Sequence, residues 1–118
     1  MKRAFAAATV VLCAALVLTT FAFARSRVAA VAVTAGKPSE FRFTLSKQSV
    51  PKGPVTFAVT NRGKLGHDFK IAGKKTLLLA RGKRSTLKVT FNRTGRFPYL
   101  CTVPGHAAAG MKGTLVVK

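Results

Sequence analysis

Downstream of residue 25 the chain holds one cysteine, two histidines and one methionine, and three of these four groups fall within a single loop. Cys101, His106 and Met111 follow one another as C-x4-H-x4-M, and His67 lies 34 residues before the cysteine. A thiolate, two imidazoles and a thioether form a donor set suited to a copper ion that cycles between Cu(I) and Cu(II). The thiolate stabilises Cu(I) and bonds covalently to Cu(II), imidazole serves both states, and the thioether is a weak fourth donor. Such a site rearranges little when one electron moves. Zinc shares a taste for thiolate and imidazole, but a structural zinc site draws all four ligands from Cys and His rather than Met. A binuclear copper site needs a second cysteine beside Cys101, and none is present. Taken singly, a cysteine is often a small buried hydrophobe. Their shared spacing argues for the metal.

Convergence of these groups demands particular elements. Cys101 must close one strand, Met111 must precede the next, and His106 must project from between them. His67 has to arrive from a neighbouring strand. Pro104 stiffens the loop and Gly105 permits a sharp bend beside His106; Gly110 and Gly113 are expected to do the same around Met111. Apolar residues recur with period two at Phe41, Phe43 and Leu45, at Val55, Phe57 and Val59, and at Leu87, Val89 and Phe91, as half-buried strands require. Shorter strands are expected over Val28–Thr34, His67–Ala72, Phe97–Leu100 and Thr114–Val117. Turn chemistry separates them, for example Gly36-Lys37-Pro38, Asn61-Arg62-Gly63 and Arg81-Gly82-Lys83. About seven or eight short strands at this spacing predict an all-β fold, a Greek-key β-sandwich.

The loop Cys101–Gly113, CTVPGHAAAGMKG, resembles the copper loop of the cupredoxins, the type 1 blue-copper family that includes plastocyanin-, auracyanin- and rusticyanin-like proteins. The stretch NRGKLGHDF, Asn61 to Phe69, is similar to the family's first-histidine region, where N-x-G and H-[ND]-F recur. The resemblance runs from about Glu40 to Lys118. It implies that His67, Cys101, His106 and Met111 ligate one type 1 copper ion. It also implies that the Asp68 side chain ties the two ligand loops together while its backbone amide points at the thiolate, and that Phe69 is core. The short interval between His67 and Cys101 implies a trimmed sandwich without the long insertions of larger members.

The first 24 residues read as a separate unit. Lys2 and Arg3 precede an uncharged apolar run over residues 4–24 that closes with Ala22-Phe23-Ala24, the pattern of a cleaved signal peptide. The alternative is an uncleaved anchor, since a run of this length can span a bilayer, which takes about 20 residues. Either way, residues 25–118 are expected outside the cytoplasm, as a periplasmic, cell-surface or secreted domain. Cys13 follows Leu12, where a lipoprotein signal wants a small residue, so no lipid anchor is expected there. Cys101 is then the domain's lone thiol, and no intrachain disulfide can form.

Charge is lopsided: 21 Lys and Arg stand against Glu40 and Asp68, and 19 of those cations lie beyond residue 24. Most fall on outward strand positions and turns, as a solvated surface would have them. The expected function is one-electron transfer by a monomer, with His106 as the port through an apolar surface of Pro104, Gly105, Ala107 and Ala108, widened by Leu65 and Gly66. The excess positive charge would steer it to an acidic redox partner. Two alternatives are a copper storage or delivery protein and a cationic module binding an anionic surface, including that of a membrane. Nucleic acid is not an expected partner, because the cations are spread out rather than clustered with interleaved aromatics. No enzyme is expected, because two acidic residues and two histidines assemble no Ser-His-acid set, carboxylate pair or phosphate loop.

Overall fold

The computed structural model describes residue 4, residues 9–21 and residues 27–118. The expected cleavage point at residues 22–24 lies outside the described residues, as do the charges at positions 2 and 3. Among the described residues, no helix is long and apolar enough to cross a membrane.

Among the described residues, nine strands follow in chain order: β1 (Ala29–Ala35), β2 (Phe43–Leu45), β3 (Ser49–Val50), β4 (Gly53–Asn61), β5 (Lys70–Ile71), β6 (Lys74–Lys75), β7 (Arg84–Phe91), β8 (Gly95–Leu100) and β9 (Lys112–Val117). They form two sheets, ordered β2-β1-β4-β7 and β3-β9-β8-β5-β6. Each sheet contains one parallel pair, β1 with β4 and β3 with β9, and the other pairings are antiparallel. The architecture is the all-β sandwich expected from the period-two pattern.

The alternation explains which faces meet. Along β4, Val55, Phe57, Val59 and Asn61 are buried while Thr56, Ala58 and Thr60 are not. Their partners across the core are Phe69, Ile71, Tyr99, Leu115 and Val117. Phe69 is tilted against both Phe57 and Tyr99, with ring centroids 5.3 and 5.4 Å away. The expected core role of Phe69 is therefore observed.

Two expected strands are shorter than the pattern suggested. The stretch His67–Ala72 contributes only Lys70–Ile71 as a strand, and His67 instead makes an isolated bridge to Leu79. Likewise β2 begins at Phe43, not Phe41, because Phe41 turns away to pack edge-on against the His106 ring, 4.9 Å between centroids. The two-residue strands β3 and β6 carry too little sequence to show a period.

β1 and β4 run in the same direction, and their last residues, Ala35 and Asn61, are paired. β8 ends at Leu100 opposite Lys112, where β9 begins. These four strand ends frame one end of the sandwich. A second small core lies there, built from Ala35, Cys101 and Met111 with Phe41, Phe43 and Val103 packed around it.

Candidate metal centre

The loop between β8 and β9 is closed at its base by backbone. Cys101 N–H donates to Met111 O at 3.1 Å, and Met111 N–H donates to His106 O at 3.1 Å. Inside that ring, His106 N–H donates to Val103 O, and Ala109 N–H donates to Gly105 O, so the loop is coiled rather than splayed. Gly105 adopts φ +83° and Gly110 φ +114°, conformations that L side chains resist, which accounts for glycine at both places. Gly113 is different from expectation. It lies within β9, opposite Tyr99, and a Cβ there would overlap the Tyr99 ring, so its contribution is space rather than a bend.

His67 is held from the other side of the site. Asn61, fully buried at the end of β4, donates from Nδ2 to Leu65 O at 2.8 Å and to Leu79 O at 2.7 Å, while its Oδ1 accepts from Gly63 N–H. One amide thus fixes the turn before His67 and the segment at Leu79 beside it. The paired backbone bonds between His67 and Leu79, 3.1 and 2.8 Å, complete the clamp. This is the physical content of the N-x-G signal in the sequence.

Three of the four candidate ligands present donor atoms to one another. His67 Nδ1 lies 3.1 Å from His106 Nδ1, and Cys101 Sγ lies 4.0 Å from the first and 3.6 Å from the second. Two imidazoles and one thiol brought together in a buried position could hold a single first-row ion. Met111 is fully buried in the cluster that contains Cys101. The His-Cys-His group is suited to one type 1 copper ion.

The surroundings tune these donors. Asp68 Oδ1 accepts from Thr102 N–H at 2.6 Å and Oδ2 from the Thr102 hydroxyl, which joins the His67 segment to the Cys101 loop as the resemblance implied. Burial pushes the Cys101 thiol above its ordinary value, partly offset by the backbone amides of Asp68 and Val103 that hydrogen-bond its sulfur. Burial also lowers His106, and neighbouring His67 lowers it further against the opposing pull of Glu40 and Asp68, a shift that favours the neutral imidazole.

Glu40 is the residue at the site that motif reading missed. Its Oε1 lies 2.7 Å from His67 Nε2, and its two oxygens accept from the amides of Lys64 and Leu65, each at 2.9 Å. Those two amides, above all, hold the carboxyl down at about 2, with His67 contributing. A signal was present in the sequence, since a carboxylate is a rare residue in this chain.

His106 is 9% exposed, whereas His67, Cys101 and Met111 are at most 1% exposed. Pro104, Gly105 and Ala108 beside it are open to solvent. Leu65, Leu77 and Leu78 are also exposed, and a Cβ on Gly66 would touch Leu78 at 3.3 Å, so these leucines extend an apolar surface beside His67.

Residues 55–118 match the family model for copper binding proteins of the plastocyanin/azurin family. Rusticyanin of Acidithiobacillus ferrooxidans is 35% identical over an 83-residue alignment that covers 54% of this chain and 53% of that protein. The chain therefore spans about half the length of the curated relative it matches. Among solved structures, dithionite-reduced auracyanin from Roseiflexus castenholzii superposes with a TM-score of 0.62 at 21% identity, covering 77% of this chain and 96% of that one. Rusticyanin from Thiobacillus ferrooxidans gives a TM-score of 0.63 at 26% identity, with 75% of this chain and 76% of that one covered.

Proposed function

The chain belongs to the plastocyanin/azurin family of copper-binding proteins, the cupredoxins, and we propose that it is an extracytoplasmic one-electron carrier whose copper is held by His67, Cys101, His106 and Met111. The observation that carries this reading is the mutual approach of two imidazole Nδ1 atoms and one thiol sulfur within 4.0 Å in a buried position. Copper bound there would supply reversible Cu(I)/Cu(II) chemistry. The residues supply rigidity. Backbone bonds close the Cys101–Met111 loop, Asn61 and Leu79 fix the His67 segment, and Asp68 ties the two together. Donors fixed in this way need not move when the charge of the ion changes, which favours repeated electron transfer over release of the metal to an acceptor.

His106 is the port. It is the one histidine of the pair with measurable exposure, and the residues around it are small or apolar, which suits a brief contact with a partner. The cationic surface would steer an acidic redox partner toward that contact. The apolar run over residues 4–24 supports export, by cleavage or by anchoring.

Cu(II) added to the purified domain should give an intense absorption band toward the red end of the visible spectrum. Cys101→Ser should abolish the band and leave the fold intact by circular dichroism. A colourless protein that takes up only zinc overturns the assignment.

A further inference from the structure

Both carboxylates of the described domain stand at the donor cluster, although cations outnumber them by about ten to one in the chain. Asp68 serves the cysteine loop. Glu40 lies in the connection between β1 and β2, far in sequence from every ligand, and is brought to His67 by a close backbone approach. Gly36, at φ +82°, packs against the backbone of Gly63, leaving no room for a Cβ at position 36. A Cβ on Gly63 would in turn lie 2.6 Å from Glu40 Oε1 and 2.8 Å from His67 Nε2. Glycine at 63 is therefore required by the Glu40–His67 contact itself.

We propose that Glu40 is a positioning residue for the metal centre: its carboxylate accepts the Nε2–H of His67, fixes the tautomer that leaves Nδ1 free for the ion, and biases the site toward Cu(II). The proposal rests on the copper assignment above. A merely structural clamp on the turn would need only the two amide bonds from Lys64 and Leu65. The third contact, to a fully buried imidazole at 2.7 Å, is the shortest of the three. A carboxylate on the far nitrogen of a ligating histidine fixes ring orientation and raises the basicity of the ligating nitrogen. Here it also places a negative charge beside the site in a domain whose overall field is strongly positive. Positive surroundings disfavour the more highly charged oxidation state, and Glu40 offsets them locally. Its side chain is only 26% exposed, so water screens it incompletely.

The test compares the wild type with Glu40→Gln, which keeps the shape and one acceptor oxygen, Glu40→Ala, and Gly63→Ala, which leaves the charge but forces the pair apart. Two readouts are needed. Nitrogen-15 NMR of the copper-free and the diamagnetic Cu(I) proteins reports which His67 nitrogen carries the proton and how fast it exchanges. Redox titration reports the midpoint potential. The wild type should show a protonated Nε2 with slow exchange. Glu40→Ala and Gly63→Ala should each speed that exchange at least tenfold. Both Glu40 variants should weaken Cu(II) binding relative to Cu(I) about tenfold, a positive shift of about 59 mV. Folded, blue Gln and Ala variants with wild-type exchange and potential overturn the proposal. Should Glu40→Ala not fold, Glu40→Gln and Gly63→Ala decide it on the same readouts. A wild type that never turns blue overturns the copper assignment instead, while exchange in the copper-free protein still decides whether Glu40 holds His67.

Discussion

Met111 is fully buried in one cluster with Ala35 and Cys101, and Leu is close to it in volume. The exchange Met111→Leu should therefore cost less than about 1.5 kcal/mol in packing, so a change in redox behaviour reports the lost sulfur rather than a damaged core. The variant is expected to keep copper and its Cys101-dependent band and to have a higher midpoint potential, because hydrocarbon offers Cu(II) nothing in place of a thioether. Spectroscopic redox titration checks this, and an unchanged spectrum and potential would remove Met111 from the ligand set. The four candidate ligands were legible in the sequence because their types are chemically rare and three share one loop. Glu40 was not, because its partner is 27 positions away and no motif contains it. Its meaning depends on two loops pressed together at Gly36 and Gly63, a contact that no local pattern encodes.

At the level of elements, the antiparallel pair β8–β9 carries the loop with Cys101 and His106, and Tyr99 faces Gly113 directly across it. The Tyr99 ring is packed among Phe43 and Phe69 and cannot retreat without opening the main core. Gly113→Ala should thus act as an overpacking change, costing about 1–3 kcal/mol. Urea denaturation of the copper-free protein should show the lower midpoint, and a wild-type midpoint would mean that the ring yields freely. Period-two alternation revealed β4 and β7 because their buried faces are long enough to repeat. It overstated the strand at His67, whose backbone is spent on a single bridge to Leu79, and overlooked β3 and β6, which are two residues each. Gly113 looked like loop punctuation beside Met111, and only the cross-strand register shows otherwise.

Across the whole molecule, positive charge is not evenly spread in three dimensions. Lys37, Arg62, Arg81 and Arg84, from three segments of the chain, line one concave face, and Glu40 stands in the concavity that adjoins it. Arg62 adjoins Gly63, so this face borders the His67 side of the metal centre. The acidic redox partner proposed above would be guided there. Reversing two of these charges, Arg62→Glu with Arg81→Glu, is expected to lower the second-order rate constant for electron transfer about tenfold or more at low ionic strength. The same change of net charge through Lys52→Glu and Lys118→Glu should matter much less. Those residues are joined by a backbone bond where β4 begins, at the other end of that strand. Stopped-flow kinetics with an acidic partner protein, repeated in high salt where the difference should collapse, measures both. Equal effects from the two pairs would mean that net charge alone guides the encounter.

The direction of β1 has a consequence for how the protein is presented. The strand starts at Ala29 and finishes at Ala35, against Cys101 and Met111. At about 3.3 Å per residue, its two ends stand roughly 20 Å apart. Whatever grips the polypeptide upstream of residue 27, whether lipid, resin or electrode, therefore tethers it by the pole remote from the candidate metal centre, and the opposite pole is left turned outward.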